Sequence, residues 1–436
     1  MTMSESTRSD RASLPLPHLG RRGLLAAGGG LAAAGLLTAC GSNTGRGSGG
    51  AGSGPALSQW YHQYGEAGTE QAVKRYAAAY KPADVTVQWR PGNYDQQTAA
   101  ALLTSNGPDV FEVNGPTLDQ IQGGQVVDLT AEIEAVRSDF NQAVLAPKIF
   151  DGKVWAVPQV IDMQMLFYRK SLLKKAGVNP PQTLDELVDA AGRLTTKDVK
   201  GLFLGNDGGA GVMGGTPLFA AGLELVTAQG TVGFDDPAAA TALGKLHTLY
   251  KNKSLLLGAP ADWSDPSAFT QGLTAMQWCG LWAVPQVQKA LGDDFGVLPF
   301  PRDGASGRPA VPVGAYGSAV SARSKHVAAG KAFVKWLWVD RTDFQEDFST
   351  SYGFHIPARI SLAKRAAKLR TGAAAEAVRL TTEYGHANPL LWTSASTSAL
   401  MDATNRIIKD GASPAAQVKA AAATAAAELK RVQKQS

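Results

Sequence analysis

Two short motifs in this chain have the form of reaction centres. Ser171-Leu172-Leu173-Lys174 satisfies S-x-x-K, in which a serine nucleophile carries out acyl transfer. Gly209-Ala210-Gly211-Val212-Met213-Gly214 satisfies G-x-G-x-x-G, whose glycines let a backbone approach a pyrophosphate. Neither has its companions. S-D-N is absent, Arg370-Thr371-Gly372 is only a loose echo of K-T-G, and Ser171 fits equally as the N-cap of a helix over 172–176. No acidic residue is clearly placed on a strand after the Gly-rich run to hold a ribose, so the run reads as a loop with Asp207 poised for a ligand. No H-E-x-x-H or C-x-x-C occurs, and no G-x-S-x-G occurs in the part that folds. Metal and hydrolase-triad chemistry therefore have no local support.

What remains are rings and polar handles in loops. His62, Gln63, Tyr64 and Glu66 follow one another after a first strand. Trp263 sits in Ala261-Asp262-Trp263-Ser264-Asp265-Pro266, among polar neighbours that argue against a core position. Aromatic plates beside amides and carboxylates form a binding surface for a ligand with an apolar face and a polar rim. Glu66 also fits as a cap of the helix after it, and the residues leave both roles open.

The elements that must position these groups follow from periodicity. A strand over 57–61, a helix over 66–80 with Ala72, Val73, Tyr76 and Tyr80 on one face, and a strand in which Val85, Val87 and Trp89 alternate come first. A helix over 94–103 and an apolar strand over 108–113 complete a strand–helix–strand–helix–strand series, which implies a parallel sheet. Strands over 154–158 and 163–168 flank Asp162. Thr183 and Glu186 form a capping box for a helix with Leu184, Leu187, Val188, Ala191 and Leu194 buried. Asp236-Pro237 starts another helix that runs to Tyr250. A short strand over 201–204, a helix over 268–276 leading into a strand, and strands over 294–299 and 311–320 precede a helix over 327–338. The last third is helical, over 361–369, 374–384, 394–409 and 415–432.

The N-terminus carries an address. Arg21-Arg22 precedes an apolar run over 24–37, shorter than the roughly 20 residues a membrane span requires. The pair resembles a twin-arginine export signal, and Leu37-Thr38-Ala39-Cys40 resembles the lipobox of bacterial lipoproteins. Residues 1–39 are thus expected to be removed and Cys40 to carry a diacylglycerol. Residues 41–54 form a Gly/Ser tether. The chain's +5 charge includes four basic and two acidic residues of the signal, leaving +3 without any Lys/Arg block, which argues against nucleic acid. With Cys40 lipidated, Cys279 has no disulfide partner, and stability must come from a large core.

Several segments stand in the order of one family. They are Asp151-Gly152-Lys153-Val154-Trp155-Ala156-Val157-Pro158, Asp162 to Leu173, Lys175-Ala176-Gly177-Val178, Pro181-Gln182-Thr183-Leu184-Asp185-Glu186-Leu187, Phe269 to Met276, Gly280-Leu281-Trp282 and Phe295-Gly296-Val297-Leu298-Pro299. Over residues 56–432 the chain resembles the extracellular solute-binding proteins of bacterial ATP-binding-cassette importers, in the branch of maltodextrin-binding proteins. The resemblance implies an α/β fold of two lobes, with a hinge crossed about three times and a ligand cleft between them. It puts the crossings near 112–116, 313–317 and 349–354, lobe one at 56–113 plus 318–350, and lobe two at 117–312 plus 354–436.

The resemblance also implies a carbohydrate ligand, an importer permease as partner, no cofactor and a monomer anchored by lipid outside the bacterial cell membrane. It points to contacts from the loop of Tyr64 and Glu66, from Asn114 at the first crossing, and from Asp162 at the cleft edge. A turn-forming role fits Asn114 and Asp162 as well. Trp282, after the Gly-x-Trp turn, matches a ring that stacks on sugar, with a core Trp as the competing role. Gly314 and Tyr316 fall at the second crossing, Trp392 near another aromatic position, and His355 is the weakest match. A tethered carbohydrate-active hydrolase, which needs a suitably spaced carboxylate pair, and a ligand-presenting sensor are the competing functions.

Overall fold

The computed structural model describes residues 54–435. β1 (Ala56–His62), β2 (Asp84–Arg90) and β3 (Val110–Val113) are joined by helices Thr69–Ala79 and Tyr94–Ala101. β1 pairs in parallel with both other strands, as that alternation requires. A hairpin of β4 (Ile149–Phe150) and β5 (Lys153–Val154) leads to β6 (Val157–Pro158). Then come β7 (Val160–Tyr168), β8 (Lys200–Phe203), β9 (Thr274–Gly280), β10 (Gly296–Leu298) and β11 (Val311–Gly314). β12 (Gly317–Val320), β13 (Ile356–Pro357) and β14 (Gly385–His386) complete the set. One sheet runs β2-β1-β3-β12-β6; the other runs β14-β11-β7-β9-β8, with β10 and β13 also on β7. The fold is the expected two-lobed α/β arrangement.

β7 is the spine of the second sheet, and its alternation explains why. Met163, Met165 and Phe167 enter one core, Leu166 enters the other, and both faces are covered. The second core is closed by helix Pro237–Lys251 with the C-terminal pair Ser394–Asp410 and Pro414–Gln435. Local signals are realised as written: Thr183 and Glu186 form a reciprocal capping box, and the Asp236 carboxylate accepts from Ala238 N–H.

Three of the expected element boundaries are corrected. The first helix begins at Thr69 rather than 66, because Gly68 takes a left-handed φ of 97° and ends the preceding loop there. The helix expected over 268–276 stops at Thr270; Gly272, with φ 76°, turns the chain, and Thr274–Gly280 is buried throughout as β9. The strand expected over 311–320 is two strands, β11 and β12, in different sheets.

The sheets are linked at Gln159, between β6 and β7, and at Ala315 and Tyr316, between β11 and β12. These links lie abreast, with Gln159 N–H donating to Tyr316 O at 3.0 Å. The first crossing is therefore not at 112–116. After β3 the chain stays with the first sheet: Val126 bridges Ser321, Val127 N–H donates to Val320 O, and β6 pairs with β12. Without β6, β12 would present an unpaired edge, so residues 117–158 serve the first sheet rather than the second. A third passage follows helix Thr342–Thr350, whose Asp347 accepts from Tyr76 Oη at 2.6 Å, and precedes β13 on β7.

Candidate ligand-binding site

The end of β1 and the irregular stretch after it bring His62 and Tyr64 to the junction of the sheets. Glu112, on β3, is the group they gather around. It is 1 % exposed, in a strand whose other residues are apolar. Its Oε2 accepts from the His62 backbone N–H at 3.2 Å and lies 2.8 Å from His62 Nδ1; its Oε1 accepts from Tyr64 Oη at 2.6 Å. With its amide turned to satisfy both ends, Gln159 donates to Oε1 at 2.8 Å and accepts from Trp338 Nε1 at 3.3 Å. Burial pushes the Glu112 carboxyl up against the opposing pull of His62 and Tyr64. Burial also acts to lower His62, but the Glu112 charge and hydrogen bond outweigh it and raise the imidazole.

So held, His62 becomes a wall. Its ring stacks on Tyr316 at 4.2 Å and 20°, which brings the loop after β1 against the link between β11 and β12. A cavity of about 300 Å³ opens there, lined by His62, Gln63, Gly92, Asn93, Tyr94, Asp95 and Tyr316. It combines ring faces with amides and a carboxylate.

From the other sheet come two tryptophans. Trp282 and Trp263 meet edge to face at 5.9 Å and 66°, both half-buried. The Trp282 indole N–H donates to Ser264 O at 2.9 Å, and Gln277 Nε2 donates to Trp263 O at 3.2 Å, so the loop of Trp263 is fixed to the end of β9. Gly353 bridges the two sides: a Cβ there would stand 2.7 Å from Glu66 Cγ and 3.2 Å from Trp282 Cβ. Only glycine lets these groups approach so closely.

The remaining candidates divide into those at this junction and those engaged within their own surroundings. Tyr64 is buried, its hydroxyl on Glu112 and its ring edge-on to Phe348 at 5.6 Å, so it supports the loop rather than facing solvent. Glu66 uses its backbone carbonyl to accept from Thr69 N–H, while its carboxylate lies 3.3 Å from His355 Nε2. His355 is 4 % exposed and reaches Asp162 with its other nitrogen. Burial would lower its pKa, but Asp162 and Glu66 raise it to about 10, so it is an imidazolium at neutral pH. Asp162 lies inside β7, paired with Gly314, rather than between two strands; its neighbours Ile161 and Met163 point into the core and leave it on the other face. Asn114 is exposed, with its side-chain oxygen against Gly314.

Two candidates are engaged within their own surroundings. The Asp207 carboxylate accepts from Gly209 and Gly211 N–H and so shapes its own Gly-rich loop. Trp392 packs edge-on to Phe234 at 5.8 Å in the second core. Cys40, with the expected export signal and the expected tether up to residue 53, lies outside the described residues. Sequence reading missed Glu112, Gln159 and the wall of Asn93, Tyr94 and Asp95. Glu112 carried a signal, since a lone carboxylate in an apolar strand must be paired when buried.

Comparison with known proteins agrees with this architecture. The family profile described as bacterial extracellular solute-binding protein matches residues 59–338. The diacetylchitobiose binding protein DasA of Streptomyces coelicolor is 27% identical over 393 residues, 85% of this chain and 89% of that protein. The galactooligosaccharide-binding protein of Bacillus subtilis is 24% identical, over 90% of this chain and 94% of its own. Among solved structures, the GacH receptor of Streptomyces glaucescens, studied unliganded and with acarbose, superimposes with a TM-score of 0.72 at 25% identity, over 87% of this chain and 99% of the other. A solute-binding protein of Thermotoga lettingae bound with α-D-tagatose gives a TM-score of 0.74 at 20% identity, over 86% and 100%. The chain belongs to the bacterial extracellular solute-binding protein family.

Proposed function

We propose that this protein captures a sugar between its two lobes and delivers it to the permease of an ATP-binding-cassette importer, as a monomer held at the outer face of the cell membrane by a lipid on Cys40. The observation that carries the reading is the stacked pair His62 and Tyr316 on the wall of a 300 Å³ cavity that also bears Gln63, Asn93 and Asp95. Sugars offer C–H faces to rings and hydroxyls to amides and carboxylates. Trp263 and Trp282 would meet the ligand from the second lobe, and Asn114 from the first. The relatives' names, diacetylchitobiose and galactooligosaccharide binding proteins, support a carbohydrate ligand.

Three of the carboxylates at the junction are engaged by partners, which favours binding over hydrolysis and leaves Asp95 on the cavity wall for a ligand hydroxyl. Glu112 is held by His62 and Tyr64, and Glu66 and Asp162 share the His355 imidazolium. The test is a thermal-shift screen of the full chain against diacetylchitobiose, galactotriose, maltotriose and mannotriose, with amino acids and polyols as the contrast. A sugar at 100 times its dissociation constant should add roughly 2.7 kcal/mol. A shift with a non-sugar alone overturns the sugar assignment, and product formation from any of them overturns the binding-protein assignment.

A further inference from the structure

Lys148 is 1 % exposed, yet it extends a charged side chain into the junction between the sheets. Its ammonium donates to two backbone carbonyls, Asn114 O at 2.5 Å and Ala315 O at 2.9 Å. These carbonyls lie on different segments: Asn114 follows β3 in the first sheet, and Ala315 belongs to the link between β11 and β12. Gly317, where β12 begins, makes room for the side chain, since a Cβ there would stand 2.8 Å from Lys148 Cε. Two observations therefore converge, a buried cation on main-chain acceptors and a glycine that admits it.

A buried ammonium on main-chain carbonyls is costly compared with an apolar residue, so its place calls for a role other than core packing. We propose that Lys148 is the positioning residue of the hinge: by tying the Ala315 carbonyl of the link to the Asn114 carbonyl of the first lobe, it fixes the direction in which the link leaves that lobe, and with it the angle between the lobes and the placement of Asn114 and Tyr316 at the cavity. This concerns the geometry of closure and stands independently of which solute binds. Charge assistance makes such bonds about twice as strong as neutral ones, so a neutral amine would hold the clamp less firmly. Burial pushes the Lys148 ammonium down to about 7, with Asp162 on β7 opposing. The clamp should thus loosen in mildly alkaline solution. Glu112 on β3, His62 on β1, Glu66 after it, Asp95 on the cavity wall and His355 before β13 also titrate at this junction.

The test is electron–electron distance spectroscopy on the unliganded full chain carrying Cys40→Ser, with nitroxides at Ala99→Cys and Asp189→Cys. These positions are exposed, on helices of the first and second sheets respectively. With Lys148 present, the distance distribution should be narrow near pH 6 and about twofold broader near pH 9; with Lys148→Met it should be broad at both. Equal distributions in the two proteins at each pH overturn the proposal, as does equal broadening, which would assign the effect to the other titrating groups. Should Lys148→Met not fold, the Lys148 protein alone decides, and an unchanged distribution across that range overturns it.

Discussion

His355 Nδ1 lies 2.5 Å from Asp162 Oδ1, an ion pair between the third passage of the chain and the spine of the second sheet. With Glu66 on the other nitrogen, the imidazolium joins both lobes at one point. Its pKa, raised to about 10 from an ordinary 6.5, means that its stabilisation is full below about pH 6.5 and lost as pH rises through 10. Lys148 has the opposite sign. Its pKa is lowered to about 7, so its burial cost is full below pH 7 and relieved as pH rises toward an ordinary 10.5. The two contributions oppose each other across the same interval. Relative to the parent protein, His355→Gln should gain stability as pH rises from 7 to 10, and Lys148→Met should lose it. Urea denaturation at several pH values reads both slopes, and parallel curves would contradict them. At pH 7 His355→Gln should also cost about 3 kcal/mol, since removing one partner strands buried carboxylates.

Glu112→Gln tests the support beneath His62. The amide keeps the shape but loses the charge that holds the imidazole above its ordinary range against burial. His62 should then titrate below 6.5 in an NMR titration, and stability should fall by about 2 kcal/mol, the worth of hydrogen bonds to a charged group. A His62 titration identical to that of the parent protein would remove Glu112 from this role.

Trp282→Ala removes one ring of the tryptophan pair. Truncating an aromatic anchor at the centre of a binding site typically costs at least 2 kcal/mol, so affinity for whichever oligosaccharide gives a thermal shift should fall about 30-fold by calorimetry. Circular dichroism should show the fold retained, and unchanged affinity would take Trp282 out of the site.

Cys279 should be inert. Its thiol is 1 % exposed on β9 and burial raises its pKa, which suppresses the thiolate. Iodoacetamide at pH 8 should leave it unmodified in the folded protein and label it in urea.

Much of this was legible because it is local. The capping box of Thr183 and Glu186, the Asp236 cap and the alternation of Val85, Val87 and Trp89 in β2 depend on neighbours a few residues apart. The assignment of residues 117–158 was not, because it rests on a two-residue strand, Val157–Pro158, finding β12 more than 150 residues later. The site divides the same way. Residue type marked His62 and Trp263 in ring-bearing loops and the family resemblance pointed to Trp282, whereas the burial of Tyr64 and the engagement of both His355 nitrogens arise from partners distant in sequence. Asp162 sat in a readable alternation, with Gln164 on the same side accepting from Trp278 Nε1, yet its Asp character suggested a turn.

The abreast links at Gln159 and Tyr316 leave the molecule few ways to move. One hydrogen bond ties them side by side, and the third passage runs between the same sheets before β13, so in the proposed function the lobes would swing about the line through the two links rather than twist across it. Closure then has a single coordinate. Under the proposed function, a guest too long or too short for the space between the lobes would halt the swing at a different point along it, and ligand size would be reported outward as an angle.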